Sequence, residues 1–126
     1  MLFRFQDQAV AICNSLWSAH FAGGVSFDYD ETLSTARGKE LAAKLIAQGT
    51  TVYIVSARHN IGDMAATAKE LGIPESRIFA TGSNEAKIAK VKELGVSSHY
   101  DNNPEVIKAL GSIGHKFEDS YTDYPQ

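Results

Sequence analysis

The sequence predicts an α/β protein: a three-layer, Rossmann-like fold in which a central parallel sheet of about five strands is flanked by helices. Three observations lead there. Short runs rich in β-branched and aromatic residues alternate with longer stretches whose apolar residues fall at helical spacing. The runs are apolar at consecutive positions, as strands covered on both faces require. The connections are short, and glycines stand just past the helical stretches, at Gly49, Gly72, Gly95 and Gly111.

The elements follow in order. Residues 6–19 form a predicted helix with Ala9, Val10, Cys13, Leu16 and Trp17 on its inner side. Cys13 and Trp17 read as packing residues. Gly23-Gly24 ends that helix and opens a strand, Val25-Ser26-Phe27, that runs into Asp28-Tyr29-Asp30-Glu31-Thr32-Leu33. Alternation along a strand sends Asp28 and Asp30 to one side and Tyr29 to the other. Residues 34–38 are a polar connector. Residues 39–48 carry a helical stripe of Leu41, Ala42, Leu45 and Ile46, and residues 51–55 form a second strand that finishes in Ser56-Ala57-Arg58. A helix over about 63–71 is stopped by Gly72 and Pro74. Residues 77–80 are a third strand. Thr81-Gly82-Ser83-Asn84 supplies N-cap chemistry for a helix over 85–94. Residues 96–100 form a fourth strand ending at Asp101. Asn103-Pro104 then gives an N-cap and a first-turn proline for a helix reaching residue 110. Residues 115–117 are read as a fifth strand and 118–126 as a loosely held polar tail. There is no internal repeat, linker or low-complexity tract, so residues 1–126 read as one domain.

Composition narrows the class. The chain of 126 residues is long enough for one proper core and too short for two. With 44% hydrophobic and 21% charged residues it belongs with globular rather than disordered chains. A formal net charge of -3 argues against an extended basic surface for nucleic acid. The single cysteine excludes an internal disulfide and suits a reducing compartment. No apolar run reaches membrane-spanning length and no signal-peptide pattern opens the chain, so the expectation is a cytoplasmic protein without a membrane partner.

The polar residues at the strand ends carry the chemistry. Asp28 and Asp30 follow the first strand, Ser56 the second and Asp101 the fourth. In a parallel sheet these ends share one edge, where ligands bind. The run Val25 to Leu33, with its Asp-x-Asp-x-Thr-Leu, resembles the first motif of the haloacid dehalogenase (HAD) superfamily of phosphohydrolases. Val52 to Arg58 resembles the second motif, Lys87 the third, and His99-Tyr100-Asp101-Asn102-Asn103-Pro104 the acidic fourth. The resemblance covers about residues 23–110.

That resemblance implies a magnesium-dependent phosphomonoester hydrolase working through an aspartyl-phosphate. Asp28 is then the nucleophile and Asp30 the general acid and base. Ser56, Ala57, Arg58 and Lys87 meet the substrate, and Ser56 and Lys87 stabilise the phosphoryl oxygens. Mg2+ would be held by Asp28, the main-chain carbonyl of Asp30, and Asp101. Thr32 would steady the turn. Lys90 and Lys92 are competing lysines further along the same helix. The acidic motif has Asn102 where a second carboxylate often stands. Glu105 is either a further metal ligand or an acid favouring the helix N-terminus. The connectors at 34–38 and 59–84 are too short for a cap domain, as in the phosphatase half of polynucleotide kinases. An open rim suits a large phosphorylated substrate such as a nucleic-acid end, with Arg58 and His59 in reach. Hydrolysis and transfer to another acceptor share these roles. The alternative is a HAD-like binding or regulatory module with little or no turnover, which the weakened acidic motif favours.

Overall fold

The computed structural model describes residues 23–117. The helix expected over 6–19 and the tail expected over 118–126 lie outside them. The described chain is an all-parallel five-stranded sheet flanked by helices, the architecture the sequence predicts. Its strands are β1 (Val25–Phe27), β2 (Val52–Ser56), β3 (Ile78–Ala80), β4 (Ser98–Asp101) and β5 (Gly114–Lys116), in spatial order β3-β2-β1-β4-β5. The helices are α1 (Ala36–Ala47), α2 (Gly62–Leu71), α3 (Asn84–Leu94) and α4 (Pro104–Leu110).

Two cores make the three layers. Val25, Phe27, Val52, Ile54 and Ile78 pack with Ala42 and Leu45 of α1 and Met64 and Ala68 of α2. Val55 packs with Val91 of α3 and Val106 and Leu110 of α4. Phe27 and Ile54 are wholly buried, each contributing about 1.5–3 kcal/mol through removal from water. None of the described helices is long and apolar enough to cross a membrane.

The order of strands positions everything that follows. The chain winds outward through β1, β2 and β3, then crosses back to lay β4 on the other side of β1. The reversal between β1 and β4 is the point where open α/β sheets form a crevice at their carboxyl ends. Ser26 faces His99 and Phe27 faces Tyr100 across this pair, and the Asp28 amide extends it by donating to the Tyr100 carbonyl at 2.9 Å. Asp28 and Asp101 therefore end neighbouring strands at the crevice.

Several element ends differ from expectation, each for a local reason. Helix α1 begins at Ala36, inside the expected connector, because the Thr35 hydroxyl caps it by accepting from the Gly38 amide at 3.0 Å. Arg77 belongs to a 3-10 turn, Glu75–Arg77, and β3 starts after it. β4 starts at Ser98, since the Ser97 amide and hydroxyl both turn to the Gly24 carbonyl instead. β5 spans Gly114–Lys116, one residue earlier than expected. Ser83 and Asn103 cap α3 and α4, accepting from the Ala86 and Glu105 amides.

Gly38 explains why a glycine stands in the first turn of α1. A Cβ there would overlap the Thr32 carbonyl and crowd the Leu33 backbone. The helix thus lies directly on the turn that follows β1. Gly38→Ala is expected to destabilise the protein by about 1–3 kcal/mol, the usual range for overpacking. Chemical denaturation checks this, and an unchanged midpoint would mean that the helix and turn are not held so closely.

Candidate active site

β1 delivers its chemistry through an unusual turn. After Phe27 the chain makes a wide loop over Tyr29–Leu33, in which the Leu33 amide donates to the Asp28 carbonyl and the Ser34 amide to the Tyr29 carbonyl, at 3.1 and 2.9 Å. Glu31 takes a left-handed conformation (φ 59°), rare for a residue with a side chain. Its amide donates to the Ser34 hydroxyl, and its carboxylate accepts from the Asn102 side chain at 3.1 Å. Asn102 therefore braces this turn. Thr32 steadies it through its carbonyl, which accepts from the Thr35 hydroxyl, while the Thr32 hydroxyl is buried with no hydrogen-bond partner among the described residues.

Asp28 and Asp30, two residues apart, go to different neighbours. Asp28 is 5% exposed and turns inward, where the Lys87 ammonium donates to it at 3.0 Å. The same ammonium donates to Asp101 at 2.8 Å. Asp30 lies at the exposed rim, and Arg58 donates to both its carboxylate oxygens, from Nε at 2.9 Å and from Nη2 at 2.7 Å. Arg58 also donates to Asp63 at 3.2 Å and lies over the Tyr29 ring, 5.2 Å from its centroid. The like charge that Asp28 meets is thus Asp101, from across the sheet, and each aspartate of the turn has a cation.

Lys87 reaches the two carboxylates from the first turn of α3, which Ser83 caps. It is 3% exposed, whereas Lys90 pairs with Glu93 and lies over the Phe79 ring. Asp101 is fully enclosed. One oxygen takes Lys87 and the His99 ring Nε2 (3.0 Å), and the other takes the Asn103 amide (2.9 Å). The second ring nitrogen of His99, Nδ1, lies 2.7 Å from the Ser26 hydroxyl. Glu105 lies on the exposed first turn of α4, its amide bound to the Asn103 cap.

Ser56 closes β2. Its hydroxyl accepts from the Arg58 amide at 3.1 Å and its carbonyl accepts from the Thr81 amide and hydroxyl, both at 2.8 Å. No acceptor for the Ser56 hydroxyl proton occurs among the described hydrogen bonds. Ala57 is half-buried between Ser56 and Arg58, and His59 is exposed beyond them.

The electrostatics separate the carboxylates. Burial, then repulsion by Asp101, lifts the Asp28 carboxyl from 3.8 to about 6, against the opposing pull of Lys87. Burial would raise Asp101 too, but hydrogen bonds from His99 and Lys87, with the charge of Lys87 and the Asn103 amide, hold it below the ordinary range. The Arg58 hydrogen bonds keep Asp30 low. Burial pushes the His99 ring down against the attraction of Asp101, favouring neutral imidazole.

Sequence reasoning assigned no role to Ser26 or His99. The signal was present: a polar residue two positions before each aspartate shares its face of the strand. Among the described residues, no three or more His, Cys, Asp or Glu side chains form a metal-holding group. Comparison with protein-family models, curated proteins and solved structures finds no match to this chain.

A raised carboxyl has a signature in stability. Folded Asp28 binds its proton more tightly than the unfolded chain does, so its contribution is most favourable below about pH 4 and is lost as pH rises through about 6. Metal-free Asp28→Asn removes that loss. It is expected to melt above wild type at about pH 7, with the margin shrinking as pH falls from about 6 towards 4. Thermal melts in chelator across that range test this; a margin independent of pH would mean that Asp28 carries no such burden.

Proposed function

We propose that the protein is a magnesium-dependent phosphomonoester hydrolase of the HAD type, acting through an aspartyl-phosphate on Asp28. The observation that carries this reading is the Lys87 ammonium bridging Asp28 and Asp101 where the strand order reverses. Arrival of a phosphoryl group at that crevice brings one more anion to two carboxylates and one ammonium.

The donor chemistry fits magnesium. Asp28, Asp101 and the Asp30 carbonyl offer only oxygen, and two carboxylates leave positions for water and phosphate, as this ion prefers. Burial, and then repulsion by Asp101, raises the Asp28 carboxyl, and a cation beside it would offset both. Magnesium, held by these three residues, would screen the repulsion between the attacking carboxylate and the phosphate.

The remaining work falls to the chain. An Asp28 oxygen attacks phosphorus as the bond to the leaving oxygen breaks, and protonated Asp30 gives that oxygen its proton. Water then attacks phosphorus, Asp30 takes its proton, and the bond to Asp28 breaks to release phosphate. Lys87 and the Ser56 hydroxyl stabilise the charge on the phosphoryl oxygens. The Arg58 hydrogen bonds hold Asp30 low, so release of Asp30 by Arg58 would favour its taking up a proton.

A second reading, a HAD-like binding or regulatory module with little turnover, is favoured by that same clamp, which holds the assigned acid ionised. Turnover separates the two. Wild type is expected to hydrolyse phosphomonoesters in magnesium, to stop in chelator and to recover when magnesium returns. Asp28→Asn should lose activity by several powers of ten. Activity that survives either treatment would exclude the mechanism.

The open rim proposed for this site gives a further expectation. Only two residues, Ser34 and Thr35, separate the motif turn from α1. Remote parts of a large substrate could lower the barrier by meeting Arg58 and His59. An oligonucleotide with a terminal phosphate should therefore show higher kcat/KM than the matching mononucleotide, with the advantage reduced in Arg58→Gln. Preference for the mononucleotide would count against a large substrate.

A further inference from the structure

Ser26, His99 and Asp101 form a continuous buried chain, all three essentially inaccessible to water. Their types are those of a nucleophilic triad, but the connections are reversed. The serine meets Nδ1 and the aspartate Nε2, and Ser26 lies in the middle of β1 between β2 and β4. No substrate reaches such a hydroxyl, so this chain is not a second hydrolytic site.

Its geometry has a different consequence. An ionised carboxylate only accepts hydrogen bonds, so the His99 nitrogen facing Asp101 must carry a hydrogen. The other ring nitrogen, Nδ1, meets the Ser26 hydroxyl at 2.7 Å. Ser26 and His99 are directly opposed in the β1–β4 register. The backbone therefore sets the ring, and the ring sets the carboxylate. His99 and Lys87 share one Asp101 oxygen, while the Asn103 amide holds the other. Without the ring, the shared oxygen of this buried carboxylate would keep the Lys87 ammonium as its donor and lose the neutral one that fixes its direction.

We propose that His99 is a positioning residue: oriented by Ser26, it donates from Nε2 to Asp101 and fixes the carboxylate that holds the metal. The consequence for the metal rests on the functional reading above; the donation itself does not. Groups that orient a ligand in this way typically change metal affinity 10–100-fold when removed.

Calorimetric titration of magnesium, with inorganic phosphate present, compares wild type, His99→Gln and His99→Leu, each checked for folding by circular dichroism. The glutamine amide can present an N–H where Nε2 stands; leucine fills similar space without one. His99→Leu is expected to lose about tenfold or more in affinity and His99→Gln to stay within about threefold. Wild-type affinity in folded His99→Leu, or equal losses in both variants, would overturn the proposal. Long-range 1H–15N spectra of the metal-free wild type need no variant. They should show a hydrogen on His99 Nε2, and a bare Nε2 would overturn the proposal even if the variants fail to fold. Should wild type bind no magnesium at all, the functional reading fails, while the tautomer still decides whether His99 donates to Asp101.

Discussion

One ammonium between two buried carboxylates balances the charge at the end of this sheet. β1 and β4 are neighbours, so their ends bring Asp28 and Asp101 into the same enclosed space. Two like charges there would repel strongly in a medium that screens poorly. Lys87 answers from α3 with a donation to each. Taking away the lysine alone would strand two buried charges, a kind of loss that typically costs about 3–5 kcal/mol. Replacing such a cluster with apolar side chains of similar volume is often neutral or stabilising. Fold stability is therefore a weak reason for this chain to keep three ionisable groups at its crevice.

The turn after β1 shows the same local expense. A left-handed residue other than glycine costs about 1–3 kcal/mol unless its surroundings hold it. Glu31 is held from both sides, by Ser34 within the turn and by Asn102 from the loop after β4. Asn102 thus has a structural part in the turn. The turn also sets the directions of the two aspartates, one inward onto Lys87 and the other outward onto Arg58. Gly38 lets α1 lie close enough to support it.

Much of this fold was legible because its signals are local. Consecutive apolar runs identified buried strands, and capping residues such as Ser83 and Asn103 marked where helices begin. The start of helix α1 is hidden in the sequence because Gly38 resembles a loop residue, and only its contact with the Thr32 carbonyl explains it. Asp28, Lys87 and Asp101 were legible as site candidates, but their mutual geometry was not. Sequence proximity paired Asp28 with Asp30, whereas strand order pairs it with Asp101. The Arg58 clamp on Asp30 and the Ser26–His99 contact likewise depend on which strands become neighbours. A local pattern does not carry that information.

The two charge clusters differ in how readily they can exchange partners. Lys87, Asp28 and Asp101 are enclosed, so exchanging any partner there exposes another buried charge. Arg58 is half-buried and its partners Asp30 and Asp63 are exposed, and ion pairs at such positions contribute little because water and salt screen them. An incoming anion can therefore compete for Arg58 at modest cost. On the proposed reading this divides the labour. The inner trio stays fixed as the nucleophile and its charge balance, while the outer pair opens as substrate arrives. Release from Arg58 would let the Asp30 carboxyl rise from its depressed state towards one that can hold a proton. The clamp that keeps Asp30 ionised in the free protein would then tie its acid function to the presence of an anionic substrate.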